Sequence, residues 1–187
     1  MKLQEAYDKI IPYLSTKEAV LDKSTQKNKG ANGIALQEIL SLPQNNDRLD
    51  FEDGELKTFT VQNNGTVKED FRICSVWDKS EIRKKLSTVL VVGRNELGQI
   101  VYCKIHKILD ENPLFNEYFD KELDLILEQG PMNVSQKDTE IWVAKTQGKG
   151  GNAPKTRSLY ISRPAAHFLF YGEYPARARK AKKILVG

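Results

Sequence analysis

Two runs, STVLVVG (Ser87 to Gly93) and QIVYCKIHKI (Gln99 to Ile108), set the tightest limit on what this chain can fold into. Both are dense in β-branched residues, and only the five residues RNELG separate them. Such runs joined by a short link containing glycine pair as a buried hairpin. ELKTFTV, FRICSVW, TEIWVAK and RSLYIS supply further strand candidates. Helical spacing appears in Leu3, Tyr7, Ile10, Ile11 and Leu14, which predicts a helix over Leu3 to Leu14. ANGIALQEILSL returns to that period through Ile34, Leu36, Ile39 and Leu40 and stops at Pro43. NPLFNEYFDKELDLILEQG predicts the longest helix, started by Asn112 or Pro113 and stopped by Gly130. Its apolar stripe is Leu114, Tyr118, Phe119, Leu123, Ile126 and Leu127. RPAAHFLFYG predicts a final short helix. The expected class is therefore α/β (or α+β), with a central mixed β-sheet flanked by helices.

With 187 residues and 40% hydrophobic content, the expectation is a single domain over 1–187, with a basic C-terminal tail from about 175 to 187. No apolar run approaches the roughly 18 residues of a membrane span, and the charged N-terminus does not resemble a secretory signal. Cys74 and Cys103 lie in apolar, strand-like runs and are expected as buried thiols in a reducing cytoplasm. A net charge of +4 permits a nucleic-acid partner without requiring one.

The stretch LDFEDGELKTF, Leu49 to Phe59, carries four acids and a lysine around the turn dipeptide Asp53-Gly54. In a strand, Glu55 and Lys57 share a face that Phe59 and Val61 continue into the interior. A turn at Asp53-Gly54 folds Asp50 back beside Glu55. Two carboxylates held together repel unless a proton or cation lies between them. Mg²⁺ suits such a pair, because it takes one or two carboxylates and completes its sphere with water and phosphate oxygen. Lys57 would then hold the attacking water or balance charge at phosphorus. The competing reading is a solvated hairpin with alternating charges.

His106 and His167 are isolated and read as packed or surface residues rather than catalysts. The aromatics Phe115, Tyr118, Phe119, Phe168 and Phe170 fit helix-to-sheet packing. There is no P-loop, Rossmann glycine fingerprint or serine-nucleophile elbow, so no nucleotide cofactor is expected.

Four segments, read in order, resemble the PD-(D/E)XK nuclease superfamily, and within it the branch of the MutH mismatch-repair endonuclease and related type II restriction enzymes. KNKGANGIALQEIL is similar to that branch's K-G-x-x-G helix, and LDFEDGELKT to its metal-binding D…E-x-K. IRKKLSTVLVV is similar to its H/R-K-L-x-x-V-L strand, and GKGGNAPKTRSLYIS to its K-x-x-N-A loop and following strand. Together they span roughly Lys27 to Ser162.

The resemblance implies a restriction-endonuclease-like fold and a site of Asp50, Glu55, Lys57 and Lys85, with Asp50, Glu55 and Leu56 binding the metal. The family's helix acid falls at Gln37, with Glu38 one residue later; Glu38 is taken into the catalytic set, and Gln37 is the neutral alternative. It further implies DNA contacts from Lys149, Arg157 and Tyr160, with Gln147 standing where the family has a basic residue. Lys145 and Lys155 belong to the same glycine-rich basic loop, where lysines reach phosphate or base edges. Arg177, Arg179, Lys180, Lys182 and Lys183 in the tail offer further phosphate contacts.

The implied activity is hydrolysis of phosphodiester bonds in double-stranded DNA, leaving 5′-phosphate and 3′-hydroxyl ends, with Mg²⁺ as cofactor and Mn²⁺ as substitute. A type II restriction enzyme, working opposite a cognate DNA methyltransferase, is the leading expectation. A MutH-like nicking enzyme and a non-catalytic DNA-binding module of the same fold are the alternatives. Either a monomer or a dimer is compatible with the branch.

Overall fold

The hairpin of β-branched runs forms as the sequence suggests. A computed structural model of the protein describes residues 1–16, 20–21, 31–42, 49–146, 156–173 and 175. These residues gather into two compact units: Met1–Lys68 with Lys85–Lys107, and Glu69–Lys84 with Ile108–Gly187. The class is mixed α and β. Where one central sheet is expected from the sequence, the strands divide between two sheets of three, one mixed and one antiparallel.

The first unit carries β1 (Glu55–Thr60), β3 (Val89–Arg94) and β4 (Ile100–His106) in the order β1-β3-β4; β2 (Phe71–Cys74) falls between them in sequence and belongs to the second unit. β1 and β3 run parallel, with Glu55 opposite Val89 and Lys57 opposite Val91. β3 and β4 are the antiparallel hairpin, turned at Asn95, whose side chain accepts the N–H groups of Leu97 and Gln99. All six residues of β3 are buried, as expected of a central strand whose run is almost wholly apolar. One face of the sheet presents Leu56, Leu90, Val92 and Cys103 to a core shared with Leu3, Ala6 and Ile10 of helix α1 (Leu3–Ile10) and Leu36 of helix α2 (Ala31–Ile39).

The helix expected over Leu3 to Leu14 is α-helical only to Ile10, and a 3₁₀ turn covers Ile11–Leu14. Pro12 explains the change, since it lacks an N–H and its ring collides with the preceding turn of an α-helix. α2 ends before Pro43 by its own means. The N–H of Leu42 reaches the Gln37 carbonyl at 2.8 Å and that of Ser41 reaches Glu38 at 2.9 Å, with Ser41 at φ 56°. That is a Schellman closure with serine in the left-handed position.

The second unit carries β2 (Phe71–Cys74), β5 (Trp142–Thr146) and β6 (Arg157–Ile161) in the antiparallel order β2-β6-β5. Helix α4 (Pro113–Gln129) starts as the sequence indicates, with the Asn112 side chain accepting the Leu114 N–H at 3.1 Å and Pro113 in the first turn. Its buried stripe is Phe115, Phe119, Glu122, Leu123 and Ile126. Leu127, expected in that stripe, is exposed, and the carboxyl of Glu122 is inside instead. Glu122 accepts the backbone N–H groups of Glu140 (2.5 Å), Ile141 (3.1 Å) and Trp142 (2.7 Å) where the chain enters β5. Burial raises its carboxyl above the ordinary range, and those three N–H groups pull it the other way. Helix α5 (Arg163–Tyr171) follows β6 directly and ends at Gly172 with φ 73°.

Helix α3 (Lys79–Ser87) has no counterpart in the sequence reading, which takes IRKKLSTVLVV as a strand by resemblance. The structure makes the first half of that segment helical and begins β3 at Val89. The signal was present in DKSE: the Asp78 carboxylate accepts the Glu81 N–H at 2.8 Å, which caps the helix. Among the described residues no helix is long and apolar enough to cross a membrane. Both cysteines are buried free thiols, and burial pushes the Cys103 thiol up to about 12.

Candidate active site

The chain turns sharply between Phe51 and Gly54, whose backbones pair with Phe51 N–H donating to the Gly54 carbonyl at 2.9 Å. Only glycine fits here: a Cβ on Gly54 would lie 2.5 Å from the Thr88 carbonyl oxygen. The turn separates the four acids of the stretch. Glu52 and Asp53 stay on its exposed tip, where Asp53 accepts the Leu3 N–H at 2.8 Å and starts α1. Asp50 and Glu55 come together at the start of β1.

Each oxygen of Asp50 has a neutral donor. Oδ2 accepts the Leu56 N–H at 3.0 Å, and Oδ1 accepts the Gln37 side-chain amide at 3.2 Å. Glu55 is 2% exposed. Its Oε2 receives the Lys57 ammonium at 3.0 Å, and its Oε1 receives the Lys85 ammonium. The surroundings of the two carboxyls push their acidities in opposite directions. Burial, with the neighbouring Asp50 carboxyl, raises the Glu55 carboxyl above its ordinary range despite the two lysines. Asp50 is buried too, yet the Leu56 N–H and the charges of Lys57 and Lys85 hold it below its ordinary range.

Strand geometry places Leu56 in this cluster through its backbone. The Glu55 N–H donates to the Thr88 carbonyl at 3.1 Å, so Glu55 turns its backbone groups toward β3. Backbone direction alternates along a strand, which sends the N–H and carbonyl of Leu56 to the opposite side, where Asp50 lies. Among the described residues β1 is a terminal strand of its sheet, so no described neighbouring strand of that sheet takes up that side. The donor set is thus two carboxyls and a backbone carbonyl, all hard oxygen ligands of the kind Mg²⁺ accepts. Paired carboxyls whose repulsion a cation would relieve complete the fit. Among the described residues, no group of three or more His, Cys, Asp or Glu side chains is placed to hold a metal ion.

Asp50, Glu55, Lys57 and Lys85 converge, and Lys85 rather than the exposed Lys84 is the α3 residue that reaches Glu55. On α2 it is Gln37 that bonds Asp50, while Glu38, one residue on, is exposed. The buried Leu36 and Leu40 fix the rotation of α2 that produces this choice. Lys149, Lys155 and Gln147 lie outside the described residues, as do Arg177, Arg179, Lys180, Lys182 and Lys183.

Lys145, Arg157 and Tyr160 belong to the second unit, whereas the residues of the cluster belong to the first. Lys145 is half-buried and paired with Asp70, which also accepts the Arg163 N–H at 2.6 Å. Burial lowers the Lys145 ammonium, and the nearby Arg163 charge adds to it. The Arg157 guanidinium donates to the carbonyls of Pro131 (3.0 Å) and Val134 (2.8 Å), so it is committed to holding the segment after α4. Tyr160 is half-buried opposite Arg72 and Val143, and burial raises its phenol. His106 is fully buried with its Nε2 2.6 Å from the Tyr102 hydroxyl, a packed histidine as its isolation suggests.

Compared with known proteins, the chain matches no protein-family model and no curated protein.

Proposed function

We propose that the protein is a Mg²⁺-dependent endonuclease acting on double-stranded DNA, a type II restriction enzyme with a restriction-endonuclease-like fold. The observation that carries this reading is the convergence of Asp50, Glu55, Lys57 and Lys85, joined by Gln37, on the end of one strand. A solvated hairpin with alternating charges does not account for it, because Glu55 is 2% exposed and holds two ammonium groups. Burying charges costs several kcal/mol per ion unless partners compensate, so such clusters favour sites where the chemistry needs them.

Asp50, Glu55 and the Leu56 carbonyl are the groups that would hold the cation. When bound, Mg²⁺ supplies Lewis-acid polarisation of a phosphoryl oxygen and charge neutralisation at the scissile phosphate. Lys57 and Lys85 hold protonated nitrogens beside Glu55, ready to hydrogen-bond the oxygens of an incoming phosphodiester or of the water that attacks it. Gln37 and the Leu56 N–H orient the Asp50 carboxylate, so the site is organised before substrate arrives.

Lys57→Ala tests the assignment. The variant should bind duplex DNA while Mg²⁺-dependent cleavage falls by at least about 100-fold, the scale of losing one preorganised charge donor. Normal cutting by that variant would remove Lys57 from the chemistry. A supercoiled plasmid substrate reads the type of cut: linear product supports the restriction reading, and persistent open circles turn it into a nickase.

A further inference from the structure

Count the charges around Glu55. Asp50 and Glu55 contribute two carboxyls, Lys57 and Lys85 two ammoniums, and the α2 residue in contact is the uncharged Gln37. The cluster is formally neutral, and both oxygens of Glu55 are already taken by ammonium groups. Both oxygens of Asp50 are likewise occupied, but by neutral donors that do not oppose a cation. With Lys57 and Lys85 side chains only 20% and 17% exposed, this is a sheltered neighbourhood in which unbalanced charge is costly.

A divalent cation entering alone would meet two positive groups on its best ligand and leave the cluster with net positive charge. An anion entering alone would find its two ammonium partners engaged with Glu55. Together they solve each other's problem: a phosphate oxygen takes the ammoniums, and Glu55 is released to the cation.

We propose that Lys85 is a counter-ion latch on Glu55, and that the site takes its divalent cation and a phosphodiester anion as a coupled pair rather than one after the other independently. This rests on the nuclease reading for the identity of the anion. Lys85 is the latch because it comes from α3, a different element from the β1 strand that carries Glu55 and Lys57, so it can leave Glu55 without moving either. By linkage, whatever the anion does to cation affinity the cation does to anion affinity.

The test uses Mn²⁺ as the probe, followed by electron paramagnetic resonance on the full chain without DNA. Lys85→Met removes the ammonium and keeps the stem, and it should bind Mn²⁺ about tenfold more tightly than the unaltered protein, within the usual span of coupling between sites. Lys84→Met, at the exposed neighbour, should leave the affinity where it was. Equal or weaker Mn²⁺ binding by folded Lys85→Met overturns the latch. Should Lys85→Met fail to fold, Lys85→Gln takes its place, and the unaltered protein supplies a second measurement. A mixed pool of duplex oligonucleotides should tighten its Mn²⁺ binding by about tenfold or more; unchanged affinity with DNA bound also overturns the latch. Absence of any DNA binding would instead defeat the nuclease reading, and the DNA-free Mn²⁺ titrations would still decide the latch.

Discussion

Glu55 and His167 are both ionisable groups placed where water barely reaches, at 2% and 5% exposure, and they bear opposite lessons. Glu55 is compensated by two ammonium groups, which is why it reads as part of a site. His167, on α5 with its ring 4.8 Å from that of Tyr171, has its imidazole lowered from the ordinary 6.5 by burial, against the pull of Glu173. The sign of its effect follows. The unfolded chain takes up a proton as pH falls through about 6.5, before the folded chain does. Stability is therefore full above that pH and declines on acidification until the folded imidazole also protonates. Urea midpoints measured from about pH 8 to pH 5 should fall, and His167→Gln should flatten that part of the profile. An unaltered slope would assign the effect to another group.

Among the elements, the β1-β3-β4 sheet depends on one close approach. Phe59 and Tyr102 meet edge to face, 5.5 Å between centroids, across Gly93 on the strand between them. A Cβ at position 93 would fall 2.6 Å from the Phe59 ring and 2.8 Å from the Tyr102 Cβ. Gly93→Ala should cost about 1–3 kcal/mol of stability, as overpacking of a full core does. A urea titration checks this, and a neutral outcome would mean that the rings move aside freely. Phe59 also ends the strand face that begins with Glu55 and Lys57, so the same substitution should lower the proposed cleavage of DNA more than a surface change of equal size. α3 shows how an element escapes a pattern search. Its sequence KSEIRKKLS has few apolar residues, and its neighbour STVLVVG draws attention to strand. The capping acid Asp78 was the better guide than periodicity.

At the scale of the whole molecule, the chain passes between its two units three times, after Lys68, Lys84 and Lys107. The second unit therefore takes β2 from a segment embedded in the first unit's sequence, and β2 pairs with β6 in register from Phe71↔Ile161. A fragment covering 108–187 would lack that strand and leave β6 with one neighbour. It should show no cooperative thermal unfolding by circular dichroism, whereas the full chain should. A cooperative transition in the fragment would mean that β5, β6, α4 and α5 suffice. The division into two units was not legible in composition for this reason: three crossings without long glycine- or proline-rich linkers leave no shift for the eye to find.

The sequence by itself determined the local structure and the cast of the site. Two β-branched runs joined by a short glycine-containing link specified the β3-β4 hairpin, Asn112, Pro113 and Gly130 specified the limits of α4, and Asp53-Gly54 specified the turn that folds Asp50 back. Those are effects of neighbours along the chain, where sterics and short hydrogen bonds act. Tertiary structure alone decided which residues complete the cluster and how the strands are shared out. Gln37 meets Asp50, and Glu38 does not, because Leu36 and Leu40 bury one face of α2 and a single residue is about 100° of rotation. Lys85 reaches Glu55 across thirty positions of sequence because α3 replaces the expected strand. Arg157 spends its guanidinium on the carbonyls after α4. Such choices depend on packing between segments far apart in the chain, and spacing within one segment carries no record of them.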